Sequence, residues 1–145
     1  MAKIYRTTDR IPLKVGELKI TISPLSIHQK AAVEDAVDGS SSGFLKAATR
    51  AIKFAVKSVE GLEDSSGDGY NLEFDMNGEL TDACVDDLFN IEESPKLAAI
   101  ALNLINNIPD QFYDATTGLP LEGVEFITDK KKEKSTGKKN KASGV

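Results

Sequence analysis

The apolar residues of this chain change their spacing after residue 22, and that change limits the fold more than any other feature. Ile11, Leu13 and Val15 alternate with Pro12 and Lys14, and Leu18, Ile20 and Ile22 alternate with Lys19 and Thr21. A period of two places one set of side chains on one face of a strand. Gly16-Glu17 joins the two runs, and Gly at the first turn position suits a type II′ connection. The pattern predicts a β-hairpin with one apolar face that must lie on something. Beyond Ile22 the spacing becomes three and four, the period of a helix.

Four helices follow from that second period. Ser26, with Gln29 three residues on, predicts a capping box for a helix through Ile27, Ala31 and Val33 towards Val37. The run Asp38-Gly39-Ser40-Ser41-Ser42-Gly43 breaks it. A longer helix is predicted over 44–59, with Leu45, Ala48, Ile52, Ala55, Val56 and Val59 as its stripe. Lys46, Arg50, Lys53 and Lys57 line the opposite side, and Gly61 is its natural stop. Thr81 caps a third helix, with Asp82 in the first turn, where negative charge is favourable. Cys84, Val85, Leu88 and Phe89 form its stripe. Ser94-Pro95 opens the fourth, whose stripe is Leu97, Ile100, Ala101, Leu104, Ile105 and Ile108, and Pro109 ends it.

Shorter signals fill the gaps. Tyr70, Leu72 and Phe74 alternate with Asn71 and Glu73, and Asn77-Gly78 is a strong turn signal, so a small middle hairpin is expected. After Pro109 the pattern weakens. Thr117-Gly118-Leu119-Pro120 reads as a turn, and Val124, Phe126 and Ile127 supply a short strand or a docking segment. No internal repeat stands out. The expected fold class is α+β, mostly α: an N-terminal β-hairpin packed on about four helices, with a small middle hairpin. An almost wholly helical domain with the first strands as arms is the alternative. Leu97, Ile100, Leu104, Ile52 and Val56 are assigned to the core. A partner groove is expected along the exposed parts of the helices at 44–59 and 95–108.

Composition sets the domain plan. The 145 residues suit one domain and a tail, and with no Trp and 6% aromatic residues the core must be aliphatic. Residues 128–145 carry seven lysines (Lys130, Lys131, Lys132, Lys134, Lys138, Lys139, Lys141) against Asp129 and Glu133. That segment is therefore +5, and with −5 for the whole chain the rest carries −10. Ala142 and Val145 are its only apolar residues, too few to offset the entropy of ordering. The division expected is a compact acidic domain, 1–127, and a flexible, disordered lysine-rich tail, 128–145. No stretch is apolar enough to span a bilayer, and Met1 to Arg6 lacks the apolar run of a signal peptide. Cys84 is the single cysteine, so no internal disulfide forms. A cytosolic protein is the simplest reading.

Little in the sequence points to chemistry. His28 is the single histidine, with no second ligand or catalytic partner near it in sequence. Cys84 lies on an apolar stripe beside Asp82, Asp86 and Asp87, a setting that favours a core thiol over a thiolate nucleophile. Asp64, Ser66, Asp68, Gly69 and Asp75 match positions one, three, five, six and twelve of a calcium loop. Asp is short for position twelve, and Asn71 stands where an apolar residue is usual, so a solvated loop is the stronger reading. Asp82, Asp86, Asp87, Glu92 and Glu93 read as a solvated acidic face rather than an acid–base pair. No phosphate-cradling Gly-rich loop, GxSxG or HExxH occurs. The expectation is a non-enzyme without catalytic residues, cofactor or metal. The lysine tail reads as a solubilising extension, a contact for phosphate or an acidic protein, or a trace of a slippery heptanucleotide at Lys131-Lys132 or Lys138-Lys139.

The order of these features resembles the tail assembly chaperones of long-tailed bacteriophages. The resemblance spans roughly residues 10–127 and is carried by four features. They are Ile22-Ser23-Pro24-Leu25-Ser26 after the β element, the stretch Ala51 to Leu62, the stretch Gly78 to Leu88, and the 97–108 helix. It implies a small, acidic, largely helical, non-catalytic protein of the host cytoplasm. Its implied partners are the tape measure protein and the tail tube protein, and a longer frameshifted form is implied as well. Self-association is compatible with it. Two other classes stay open: a small phage or bacterial regulator of nucleic acid or of a nucleic-acid enzyme, and a minor structural protein of the virion tail.

Overall fold

The computed structural model describes residues 4–114 and 117–127. Strands β1 (Ile11–Val15) and β2 (Leu18–Ile22) form the expected hairpin, with Gly16 at φ 60° in its turn. Helices α1 (Ile27–Glu34) and α2 (Ser41–Ala55) follow, and α2 runs without a loop into β3 (Val56–Glu60). Then come α3 (Asp82–Leu88), α4 (Ser94–Asn103) and β4 (Val124–Phe126). The four strands make one antiparallel sheet in the order β3-β2-β1-β4. The fold is thus mixed α+β, with the first hairpin at the centre of a four-stranded sheet.

The hairpin alternation works as the sequence implies. Leu13, Val15, Leu18, Ile20 and Ile22 are buried, while Lys14 and Lys19 are exposed. These buried side chains join those of the helices in one core cluster. In α2 the buried face consists of Ala47, Ala48, Ala51, Ile52 and Ala55 beyond its first turn. Such small side chains let neighbouring helices approach closely, and α2 packs against α1, α3 and α4. Leu97, Ile100, Leu104, Ile52 and Val56 are all buried, as assigned.

The second helix departs from expectation at both ends. It begins inside the Gly-Ser run, because Ser40 caps it: Ser40 Oγ accepts the Gly43 N–H at 3.0 Å. Gly43 is needed there, since a Cβ at that position would lie 2.7 Å from the Ala36 carbonyl oxygen. At the other end the chain turns extended at Val56, and residues 56–60 are strand rather than helix. Val56 and Val59 stand three apart, so a regular strand would point them to opposite faces. A bulge resolves this. Thr21 pairs with Ser58 and Ile22 with Val56, which leaves Lys57 unpaired and returns both valines to the core. Gly61 stops the strand, not a helix, at φ 104°.

Other departures are smaller. Leu45, on the expected stripe, is 55% exposed. The fourth helix ends at Asn103, short of Pro109. Asn103 turns its side chain to the loop beyond, donating to the Tyr113 carbonyl at 2.8 Å and accepting the Tyr113 N–H at 3.3 Å. Ser94 is the first helical residue and not the cap, which is Glu93. The expected middle hairpin is reduced to an isolated Phe74–Leu80 bridge. Thr81 N–H to the Glu73 carbonyl and Asp75 N–H to the Glu79 carbonyl make that bridge, while Tyr70 N–H goes to the Leu62 carbonyl and Glu73 N–H to Cys84 Sγ. Phe112, outside every predicted element, is buried and stacks on Phe126 with ring centroids 5.4 Å apart. The expectations for the lysine-rich tail fall outside the described residues.

Replacing the fully buried Ile52 by Ala leaves a cavity in the core and is expected to cost about 2–5 kcal/mol of unfolding free energy. Leu45→Ala, at a position the sequence pattern treats as equivalent, is expected to stay within about 0.5 kcal/mol of the parent. Urea denaturation followed by circular dichroism separates the two.

Candidate protein-binding site

Among the described residues, the surface feature with most chemical character is a groove between the chain after β3 and the exit of α3. Gly61 turns the chain out of the sheet, and Leu62 then accepts the Tyr70 N–H at 3.1 Å. The intervening loop is closed by Asp64, whose Oδ1 accepts the N–H groups of Ser66 at 2.8 Å and Asp68 at 3.1 Å. Across from it stands α3, capped by Thr81, whose Oγ1 accepts the Cys84 N–H at 3.3 Å. The Tyr70 hydroxyl spans the gap and donates to Asp87 at 2.6 Å. The resulting cavity of about 430 Å³ is lined by apolar Leu62, Tyr70, Leu88 and Ile91, with Glu63, Asp64, Ser65, Asp87 and Asn90 around them.

The electrostatics are one-sided. From residue 58 to 95 the chain carries twelve carboxylates and no Lys, Arg or His. Among the described residues no basic side chain lines the groove. Further along the same stretch one acid meets a cation, Asp82 pairing with Lys53 at 3.0 Å, and Lys57 donates to the Gly78 backbone carbonyl at 3.0 Å. The hydrogen bond to Asp82 raises the Lys53 pKa above its ordinary value. Burial lowers that of Lys57, and neighbouring Arg10 adds to the effect. Burial first, and then the hydrogen bond to Asp87, pushes the Tyr70 phenol well above its ordinary range.

The Asp64 turn is one of three built alike. Asp75 Oδ1 accepts from the N–H groups of Asn77 and Glu79 at 2.8 and 3.1 Å, and Asp114 Oδ1 accepts from Thr117 at 3.3 Å. Each turn is closed by a single bridge: Glu63 with Gly69, Phe74 with Leu80, Tyr113 with Pro120. This repeat escaped the sequence reading, although Asp followed by Gly at three or four residues marks it in each case. The two carboxylates at the ends of the calcium-loop pattern, Asp64 and Asp75, thus each commit an oxygen to their own turn. Among the described residues no group of three His, Cys, Asp or Glu side chains is placed to hold a metal ion. The middle turn presents Met76, fully exposed, beside Phe74.

The remaining sequence candidates are not brought together. His28 is exposed on the first turn of α1, and Cys84 is buried under Glu73. Of the acidic set, Asp87 reaches the groove, Asp82 pairs with Lys53, and Glu93 lies near the hairpin turn at Gly16. A second cavity of about 460 Å³ sits at the far end of α4, between Tyr5, Leu25, Lys30, Leu104 and Asn107. That cavity borders the 95–108 stretch through Leu104, Asn106, Asn107 and Ile108, whereas no residue of α2 lines either cavity. No helix among the described residues is long and apolar enough to cross a membrane. No family model matches the chain, and no curated protein or solved structure matches it either.

Tyr70 gives the groove a pH signature. A phenol whose folded pKa is raised holds its proton more tightly when folded, so its contribution is complete below the unfolded pKa of about 10 and is lost as pH rises above it. Tyr70→Phe removes the hydroxyl and is expected to lower stability at neutral pH by about 0.5–1.5 kcal/mol. It is also expected to flatten the alkaline fall in stability expected of the parent. Denaturant midpoints measured from neutral to alkaline pH test both effects.

Proposed function

We propose that the protein is a tail assembly chaperone of a long-tailed bacteriophage, a non-catalytic partner of the tape measure protein in the host cytoplasm. The observation that supports it best is the groove: an apolar strip whose described rim carries carboxylates and no basic side chain, which suits holding another polypeptide rather than transforming a small molecule. The resemblance in the order of elements between residues 10 and 127 points the same way. A tape measure protein is long and helical, with apolar stretches that aggregate before the tube encloses them. An acidic partner covers such stretches and keeps the complex dispersed through like charge. Recruitment of tail tube subunits, and a longer form that replaces the lysine-rich tail after a frameshift, belong to the same proposal.

Co-expression with a helical tape measure fragment tests it. The soluble share of the fragment is expected to rise several-fold and to co-purify with the chaperone. Unchanged solubility overturns the proposal, and recovery of the protein from purified virions points to a structural tail protein instead.

A second reading is favoured by the same run of twelve carboxylates, which offers a DNA-like charge density to a nucleic-acid enzyme. Stable capture of a purified polymerase or nuclease, relieved by salt, distinguishes that reading from the chaperone.

A further inference from the structure

We propose that the acidic groove holds the chain's own lysine-rich segment, residues 128–145, in an intramolecular complex. The groove has two demands that few side chains meet together. Its floor is apolar, made by Leu62, Tyr70, Leu88 and Ile91, and its rim carries Glu63, Asp64 and Asp87. A lysine satisfies both. Its four-carbon stem lies on apolar surface while the ammonium reaches out to carboxylates, and the Tyr70 ring adds a face that attracts a cation. Among the described residues the ion pairs are Lys19 with Glu60 and Lys53 with Asp82, and neither uses a rim carboxylate.

The supply of lysines is at the chain's end. Of the 18 Lys and Arg residues, seven lysines fall in 128–145. The segment leaves the sheet after Ile127, whose N–H donates to the Pro12 carbonyl at the edge of β1. Eighteen residues span up to about 60 Å when extended, well beyond the diameter of a domain this size, so reach does not limit docking. Tethering gives the segment an effective concentration on the order of millimolar, enough to populate contacts that are weak when free. The complex requires no tail assembly partner.

Backbone amide NMR of the full chain tests the inference. The parent is compared with a variant in which Lys131, Lys132, Lys138 and Lys139 are replaced by Gln, changes confined to the segment itself. At low salt the amides of 62–65, 70 and 87–91 are expected to differ between the two by several-fold more than the rest of the domain. The difference should be independent of protein concentration and should fade at about 0.3 M salt, where screening acts within a few ångströms. In a background carrying Glu63→Lys and Asn90→Lys, both at exposed rim positions, the same lysine replacements should no longer move the groove amides. No excess shift at the groove overturns the proposal. So does a shift that grows with protein concentration, which assigns the groove to a second copy, or one that survives the rim substitutions.

Discussion

The direct passage of α2 into β3 at Ala55–Val56 is the constraint on which the rest of the fold depends. A helix that ends buried leaves its last carbonyls without partners, a cost the fold must meet locally. Here two chain segments supply the donors. Ser23, buried just after β2, donates its N–H to the Ala55 carbonyl at 2.9 Å, and Leu80 donates to Lys53 at 3.2 Å. One junction therefore fastens the end of the first hairpin, the central helix, the sheet edge and the approach to α3. It also places Gly61 and Leu62 where the chain leaves the sheet to build the groove.

That junction is where the sequence reads least well, for a physical reason. Val56 and Val59 continue the three-and-four spacing of α2, and nothing local separates a helix's last turn from a strand containing a bulge. The information that decides is tertiary: β2 offers an open edge, and Lys57 can be left out of the register. Where the signal is local the reading holds. The hairpin alternation, the Ser26–Gln29 capping box and the Thr81 cap all appear as the residues imply. Phe112 has no periodic neighbours, so its burial against Phe126 is invisible without the sheet.

The groove divides in the same way. Its charge is legible, since the cation-free run from 58 to 95 lies in one stretch of chain. Its shape is not, because Tyr70 and Asp87 stand seventeen residues apart and meet only once α3 is docked. Of the alternating set Tyr70, Leu72 and Phe74, Tyr70 reaches α3 through Asp87, and Phe74 makes the one bridge of the middle hairpin, with Leu80. The Asp64 and Asp75 turns each use one carboxylate oxygen of that stretch to accept from their own backbone N–H groups.

The sheet order has a consequence for how the chain is made. β2 gains its outer neighbour by residue 60, but β1 waits for Val124–Phe126, more than a hundred residues after its own last residue, Val15. During synthesis β1 therefore presents a bare edge of unpaired backbone, the kind of surface on which chains join edge to edge. Pro12 and Lys14 on that strand oppose such pairing, one by lacking a donor and the other by charge. The last described strand is thus a latch as much as a structural element. A chain interrupted before it keeps β1 as the open edge of a three-stranded sheet.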